Sequence, residues 1–147
     1  MSNNIVNQYP AIEADLATDL INALNALPLC EEEPALLYPG TAHYNRYWKS
    51  YRAEMETFCA LADRVNPYEY NAIYLSKNYK REKNLDHKKY GPQVCISIGN
   101  CIGNKLWLDD EYVDDRNRLV VFDGTKIPYE TDKQLSGEVY RIQFFKI

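Results

Sequence analysis

The sequence is poor in the residues that most often carry chemistry. It has two histidines in 147 residues, His43 and His87, and its four cysteines, Cys30, Cys59, Cys95 and Cys101, form no C-x-x-C pair. Structural zinc sites draw their ligands in closely spaced pairs, so the spacing argues against one. Free, buried thiols are the expectation for such a set in an intracellular chain. There is no G-x-S-x-G, no P-loop and no G-x-G-x-x-G, which removes the commonest hydrolase and nucleotide-binding signatures. No apolar run reaches about 18 residues, so no membrane-spanning helix is predicted. The N-terminal stretch MSNNIVNQYPAIEADL lacks the basic start and apolar core of a signal peptide. A net charge of −4 excludes a uniformly basic nucleic-acid binder. These absences predict an intracellular protein, cytoplasmic or nuclear, with no membrane partner.

What is present is a chain of one-domain length, rich in tyrosine, that divides into a helical front and a strand-rich back. Ile12, Leu16, Leu20, Leu24 and Leu27 recur at spacings of four and three, which puts them on one face of a helix over 11–27, stopped by Pro28. EEEPALLYPGT reads as a loop with three solvated glutamates. A second helix is predicted over about 44–64, with Tyr44, Tyr47, Tyr51, Met55, Phe58 and Leu61 as its apolar stripe. Beyond residue 67 the rhythm changes to short segments with turn punctuation. YEYNAIYLS, QVCISIG, NKLWLDD, RLVVFDG and GEVYRIQFFKI read as strands, with Val94, Ile96 and Ile98 on one side of theirs. No repeat or linker interrupts the chain. The expectation is one domain over 1–147, helical to residue 66 and strand-built from 67.

Several of these segments, in order, resemble the 2-oxoglutarate/Fe(II)-dependent dioxygenases, in a branch that includes viral and nucleic-acid-modifying members. YLSKN ends in Asn78, YGPQVCISIG carries a Gly-Pro turn and an alternating strand ending in Gly, and IGNKLWL is similar to a conserved hairpin. LVVFDG and SGEVYRIQFF match the last two core segments. The resemblance covers about residues 70–147. It implies an α+β fold: a distorted double-stranded β-helix, or jelly roll, with the two N-terminal helices packed on one sheet.

The departures fall where the resemblance would place the chemistry. The His-x-Asp position is occupied by Asn84, Leu85 and Asp86, and the distal histidine position by Pro128, so Asp86 is the only matching ligand. One carboxylate and one amide do not make a reliable Fe(II) site. His87 points away from Asp86 on an extended strand and turns inward only if the segment is a loop. The arginine that grips 2-oxoglutarate in the family falls on Val139, with Arg141 two residues along and therefore on the same strand face. An arginine inside a barrel needs an anionic partner. Asp86, Asp123 and a bound anion are the candidates, with the solvent edge as the alternative.

Two charge runs complete the inventory. KNYKREKNLDHKKY carries Lys77, Lys80, Arg81, Lys83, Lys88 and Lys89, interleaved with Tyr79 and Tyr90, and is predicted to border the barrel mouth as a surface for an anion or a single-stranded nucleic acid. DDEYVDD reads as a solvated acidic loop. The functional expectation is a catalytically inactive dioxygenase-like domain with no cofactor. It would serve a binding or structural role toward an anionic small molecule, a nucleic acid, a host factor or a capsid partner, in a viral and virion-associated setting if the branch holds. The alternative is an oxygenase acting on a nucleic-acid base through an atypical metal site, with Fe(II) and 2-oxoglutarate as its cofactors.

Overall fold

The computed structural model describes residue 5 and residues 7–41, 44–86 and 89–147. In chain order these form β1 (Asn7–Gln8), α1 (Ala14–Asn25), β2 (Ala35–Leu37), a 3₁₀ helix (Arg46–Tyr51), α2 (Arg52–Val65), β3 (Ala72–Lys77), β4 (Tyr90–Gly99), β5 (Ile102–Gly103), β6 (Leu106–Leu108), β7 (Glu111–Val113), β8 (Val120–Phe122), β9 (Tyr129–Thr131), β10 (Gln134–Ser136) and β11 (Val139–Lys146). The major sheet has the order β1-β8-β4-β11-β3-β2, faced by a three-stranded sheet β7-β6-β9 and a two-stranded pair β10-β5. Every strand pairing is antiparallel.

The major sheet sorts its side chains by the two-residue period of a strand. Val94, Ile96 and Ile98 of β4, Ile142 and Phe144 of β11 and Ile73 and Leu75 of β3 point to one face. They form one core there with Leu20 and Leu24 of α1 and Met55 and Phe58 of α2. The opposite face carries Gln93, Cys95 and Ser97 of β4, which are also buried. Register sets Arg141 across from Ser97 and Ser76, and Gln143 across from Cys95 and Tyr74. One face is thus a conventional apolar core, and the other lines the barrel interior with polar groups. A smaller apolar cluster of Leu106, Leu108, Val113, Val120, Phe122 and Tyr129 packs with Cys95 of β4.

The helices pack on one sheet, as the alternation and the apolar stripes predict, but their limits differ. α1 spans 12 residues, shorter than its apolar pattern. Leu27 is buried beyond its end, and Pro28 follows. The second helix starts late because Asn45 caps Tyr47 N–H and Trp48 breaks the helical backbone, so a 3₁₀ turn precedes α2. Tyr47 is consequently 80% exposed and leaves the predicted stripe. Two further corrections concern the N-terminal part. EEEPALLYPGT contains β2, the edge strand beside β3, and Asn7–Gln8 pair with β8, so the front of the chain contributes strands as well as helices. Cys30 is exposed, whereas the other three cysteines are buried, and all four are free. No helix among the described residues is long and apolar enough to cross a membrane.

The close approach of β4 and β11 depends on Gly99, where φ is +142° and an added Cβ would sit 2.2 Å from Glu138 O and 2.9 Å from Val139 Cα. Both neighbours are backbone and cannot move aside. Gly99→Ala is expected to lower the unfolding free energy by about 2 kcal/mol or more in urea titrations. Gly40→Ala, where φ is +80° with nothing within 4 Å, serves as the control. It should lose only about 1 kcal/mol, the cost of the backbone conformation alone.

Candidate functional site

The barrel interior opens at one mouth into a cavity of about 290 Å³. Its floor is the polar face of β3, β4 and β11, through Tyr74, Ser76, Cys95, Arg141 and Gln143; Tyr129 and Thr131 face them from β9. The extended segment 79–86 runs across the mouth. It is held to β9 by Thr131 N–H to Arg81 O (3.1 Å), Tyr129 N–H to Asn84 O (3.1 Å) and Arg81 N–H to Thr131 Oγ1 (2.8 Å). Asp86 N–H donates to Gly124 O at 2.8 Å, which fixes the end of the segment over the interior.

Asp86 is the hub of this mouth, and both of its oxygens are taken. Arg81 Nη2 donates to Oδ1 at 3.1 Å, and Lys89 Nζ at 3.0 Å and Gln93 Nε2 at 2.8 Å donate to Oδ2. The Tyr129 hydroxyl donates to Oδ2 as well. Burial by itself would raise this carboxyl, but the Tyr129 hydrogen bond and the charges of Lys89 and Arg81 outweigh it and hold Asp86 below the usual carboxylate range. Burial pushes the Lys89 ammonium down, against the opposing pull of Asp86. Lys89 lies over the rings of Phe145 (4.1 Å) and Tyr74 (4.8 Å), and the Arg81 guanidinium stacks 3.9 Å from the Tyr129 ring centre. Two cations therefore surround one carboxylate. Arg81 Nε is buried without a hydrogen-bond partner, and Glu33 lines the same cavity as Arg81 and Asp86.

Arg141 occupies the other end of the cavity. Its Nε and Nη2 bind the two oxygens of Asp115 at 2.8 and 3.2 Å, and its remaining N–H groups reach Asn104 Oδ1 (2.6 Å) and Asn104 O (2.9 Å). Asp115 also accepts from Ser97 Oγ at 2.9 Å and Cys95 Sγ at 3.4 Å. Burial would raise the Asp115 carboxyl, but the Arg141 charge and these hydrogen bonds carry it below its ordinary value.

The predicted site residues are distributed as follows. Asn84 bridges to Tyr129, the residue after Pro128, but of Asn84, Asp86 and Pro128 only Asp86 lines the cavity. Asn84 is exposed, with its Oδ1 accepting from Leu85 N–H. Pro128 has no side-chain donor atom, and its carbonyl accepts from Asp109 N–H. Val139 is buried and packs opposite Gly99. Arg141 binds Asp115 rather than Asp86 or Asp123; Asp123 instead accepts from Thr125 at the following turn. Asp115 belongs to the acidic run read as solvated, and it is 3% exposed. The basic run is not one exposed strip. Lys89 is 8% exposed and Arg81 is half-buried, both drawn inward by Asp86. Lys80 pairs with Glu82, Lys83 with Asp109 and Lys77 with Glu138. Tyr79 is half-buried at the cavity wall. His43, His87, Lys88 and the Tyr90 side chain lie outside the described residues. Sequence reading missed Tyr129, Gln93, Gln143, Asn104 and Asp115. Gln93 and Gln143 were open to detection, because polar residues alternate with Val94, Ile96 and Ile98 on β4 and with Ile142 and Phe144 on β11.

An Fe(II) ion does not fit the described residues of this mouth. The one carboxylate is held by four donors, Asn84 faces outward and Pro128 offers no ligand. No three His, Cys, Asp or Glu side chains converge among the described residues.

Asp115→Asn is expected to leave Arg141 buried without its counter-charge and to cost about 3–5 kcal/mol. The pH dependence carries a sign. Asp86 and Asp115 have depressed folded values. Their stabilisation is full above the ordinary carboxylate value of about 4 and is lost as pH falls through the folded values. Denaturant titrations between about pH 5 and pH 2 should show the parent protein losing more stability than Asp115→Asn over that range. Equal losses would disconnect Asp115 from Arg141.

No family model and no curated protein matches the sequence. Solved structures do match the fold. NgTET1 in complex with 5mC DNA superposes with a TM-score of 0.67 at 11% identity, covering 95% of this chain and 70% of that one. The viral collagen prolyl hydroxylase of Paramecium Bursaria Chlorella virus-1, in its 2OG complex, gives 0.60 at 9% identity over 96% and 95% of the two chains. A Pseudomonas putida prolyl-4-hydroxylase gives 0.56 at 15% identity over 97% and 92%. These neighbours correct the expectation that the chain takes no cofactor. One of them is a complex with 2OG, so that expectation does not stand for a chain of this fold. At these identities the shared property is architecture: the chain has the dioxygenase-like double-stranded β-helix fold of the 2-oxoglutarate oxygenases.

Proposed function

We propose that this dioxygenase-like domain works as a binding protein rather than an oxygenase, and that its barrel pocket takes a ligand carrying a carboxylate, with 2-oxoglutarate the first candidate. The observation that carries the reading is the environment of Asp86. Its oxygens are occupied by Arg81, Lys89, Gln93 and Tyr129, so a metal would have to displace four donors that already compensate one another. The same cluster supports anion binding. Two cations face Asp86, and the Arg81 side chain lines the cavity while staying 26% exposed. A carboxylate at Arg81 would gain a charge-assisted hydrogen bond. Ser76, Thr131 and Tyr79 supply polar groups on the walls, and about 290 Å³ suits a small dicarboxylate. Arg141 is committed to Asp115 and Asn104, so the anion is assigned to Arg81. Within this reading the protein acts inside the cell, which its four unpaired cysteines support.

Calorimetric titration with 2-oxoglutarate and succinate, with and without Fe(II) under anaerobic conditions, tests this. The expected result is saturable binding of at least one of them, independent of iron. Arg81→Gln should weaken it by about tenfold or more, as loss of a charged hydrogen bond does. Iron-dependent conversion of 2-oxoglutarate to succinate in air would overturn the non-catalytic reading, and absence of any carboxylate binding would overturn the pocket assignment.

A further inference from the structure

We propose that the carboxylate recognised at Arg81 belongs to an extended polypeptide, whose chain lies in the groove beside β2. This rests on the reading of the Arg81 pocket as a carboxylate site and names its ligand class. A second cavity of about 830 Å³, lined by Pro28, Leu36, Arg46, Tyr47 and Trp48, runs along the outer side of β2. Glu33 and Pro34 line both this groove and the Arg81 pocket, so the two spaces adjoin. A small dicarboxylate fills the pocket and leaves the groove, nearly three times as large, empty. A chain molecule that places one anionic group at Arg81 fills both.

The groove wall is built for a partner. Tyr47 is 80% exposed, yet it is not loose: Asn45 holds its N–H at 2.9 Å, and the Arg46 guanidinium lies over its ring at 5.0 Å. An exposed, oriented aromatic beside Trp48 and two prolines is the kind of surface that anchors peptides. Charge decides between polymers. Glu31, Glu32 and Glu33 are exposed and follow directly on Pro28–Cys30 at the groove. They repel a polymer with a phosphate at every unit and favour lysine or arginine beside the anchoring carboxylate. The ligand is therefore a peptide segment with one acidic side chain or a C-terminus for Arg81, and basic residues next to it.

The test uses the 147-residue chain. Fluorescence anisotropy is read with labelled decapeptides that carry one Glu and two adjacent Lys at varied spacing on a Pro/Ala background. Succinate serves as the small-acid probe and an oligothymidylate as the nucleic-acid probe. At least one peptide should bind about tenfold more tightly than succinate and be displaced by it. Tyr47→Ala and the double variant Glu31→Gln/Glu32→Gln, all exposed positions, should weaken that peptide about tenfold and leave succinate binding unchanged. The inference is overturned if no peptide exceeds succinate, if both groove variants bind peptide normally, or if the oligothymidylate binds more tightly than every peptide. If the unaltered protein binds neither succinate nor peptide, the reading of the Arg81 pocket itself fails, and this inference with it. Arg81→Gln distinguishes the two sites, since it should weaken both kinds of binding by about tenfold or more, whereas Tyr47→Ala should affect only the peptide.

Discussion

A guanidinium and a carboxylate with almost no access to water hold the interior of this barrel together. Arg141 reaches from β11, at the centre of the major sheet, to Asp115 on the segment between β7 and β8, and to Asn104 on the turn before β6. Through Asp115 the same network includes Ser97 and Cys95 of β4. Three stretches of chain meet at one planar cation, and β4 joins them through Asp115. A buried ion pair of this kind adds little net stability over an apolar replacement, yet losing one partner strands the other. Its value is geometric. It fixes how far apart the two walls stand, and so allows a face that would otherwise collapse onto apolar side chains to stay polar.

The mouth repeats this logic with the opposite balance. At Arg141 one cation meets one anion, and the remaining donors find Asn104. At Asp86 two cations meet one anion, and a donor is left over. The surroundings explain how so much charge is tolerated. The Arg81 plane lies on Tyr129, and the Lys89 stem and ammonium sit against Phe145 and Tyr74, so aromatic faces share the task of shielding them. The pocket is the space between a closed electrostatic network and an open one.

The fold was legible where periodicity is strong. Ile96 and Ile98 on β4, and Leu20 and Leu24 on α1, follow the 2.0 and 3.6 periods, and the structure buries them together. Short elements escaped because two or three residues carry no period: β2, β5 and β10 are set by their neighbours in space, not by their own composition. The site was legible only in outline. The positions of Asn84, Asp86 and Pro128 came from the ordered resemblance. The partners that define the chemistry came from long-range contacts: Asp115 lies 26 residues from Arg141, and Tyr129 lies 43 from Asp86. The basic run reads as one surface bordering the mouth, but it divides between exposed and inward-turned residues. Here a single buried carboxylate turned Arg81 and Lys89 inward, an outcome that local sequence does not encode.

The strict sorting of faces on β11 also limits how such a site can change over generations. Tyr140, Ile142 and Phe144 belong to the helix-side core, while Val139, Arg141 and Gln143 belong to the barrel. A functional group that migrates by one position along this strand would leave the pocket and enter the apolar layer, so one-step moves are closed. Moves of two are open, because they preserve the face. Arg141, two residues from Val139, shares the barrel face with it by this rule. Inheritance along a strand of this kind is quantised in pairs, and function drifts in strides of two residues.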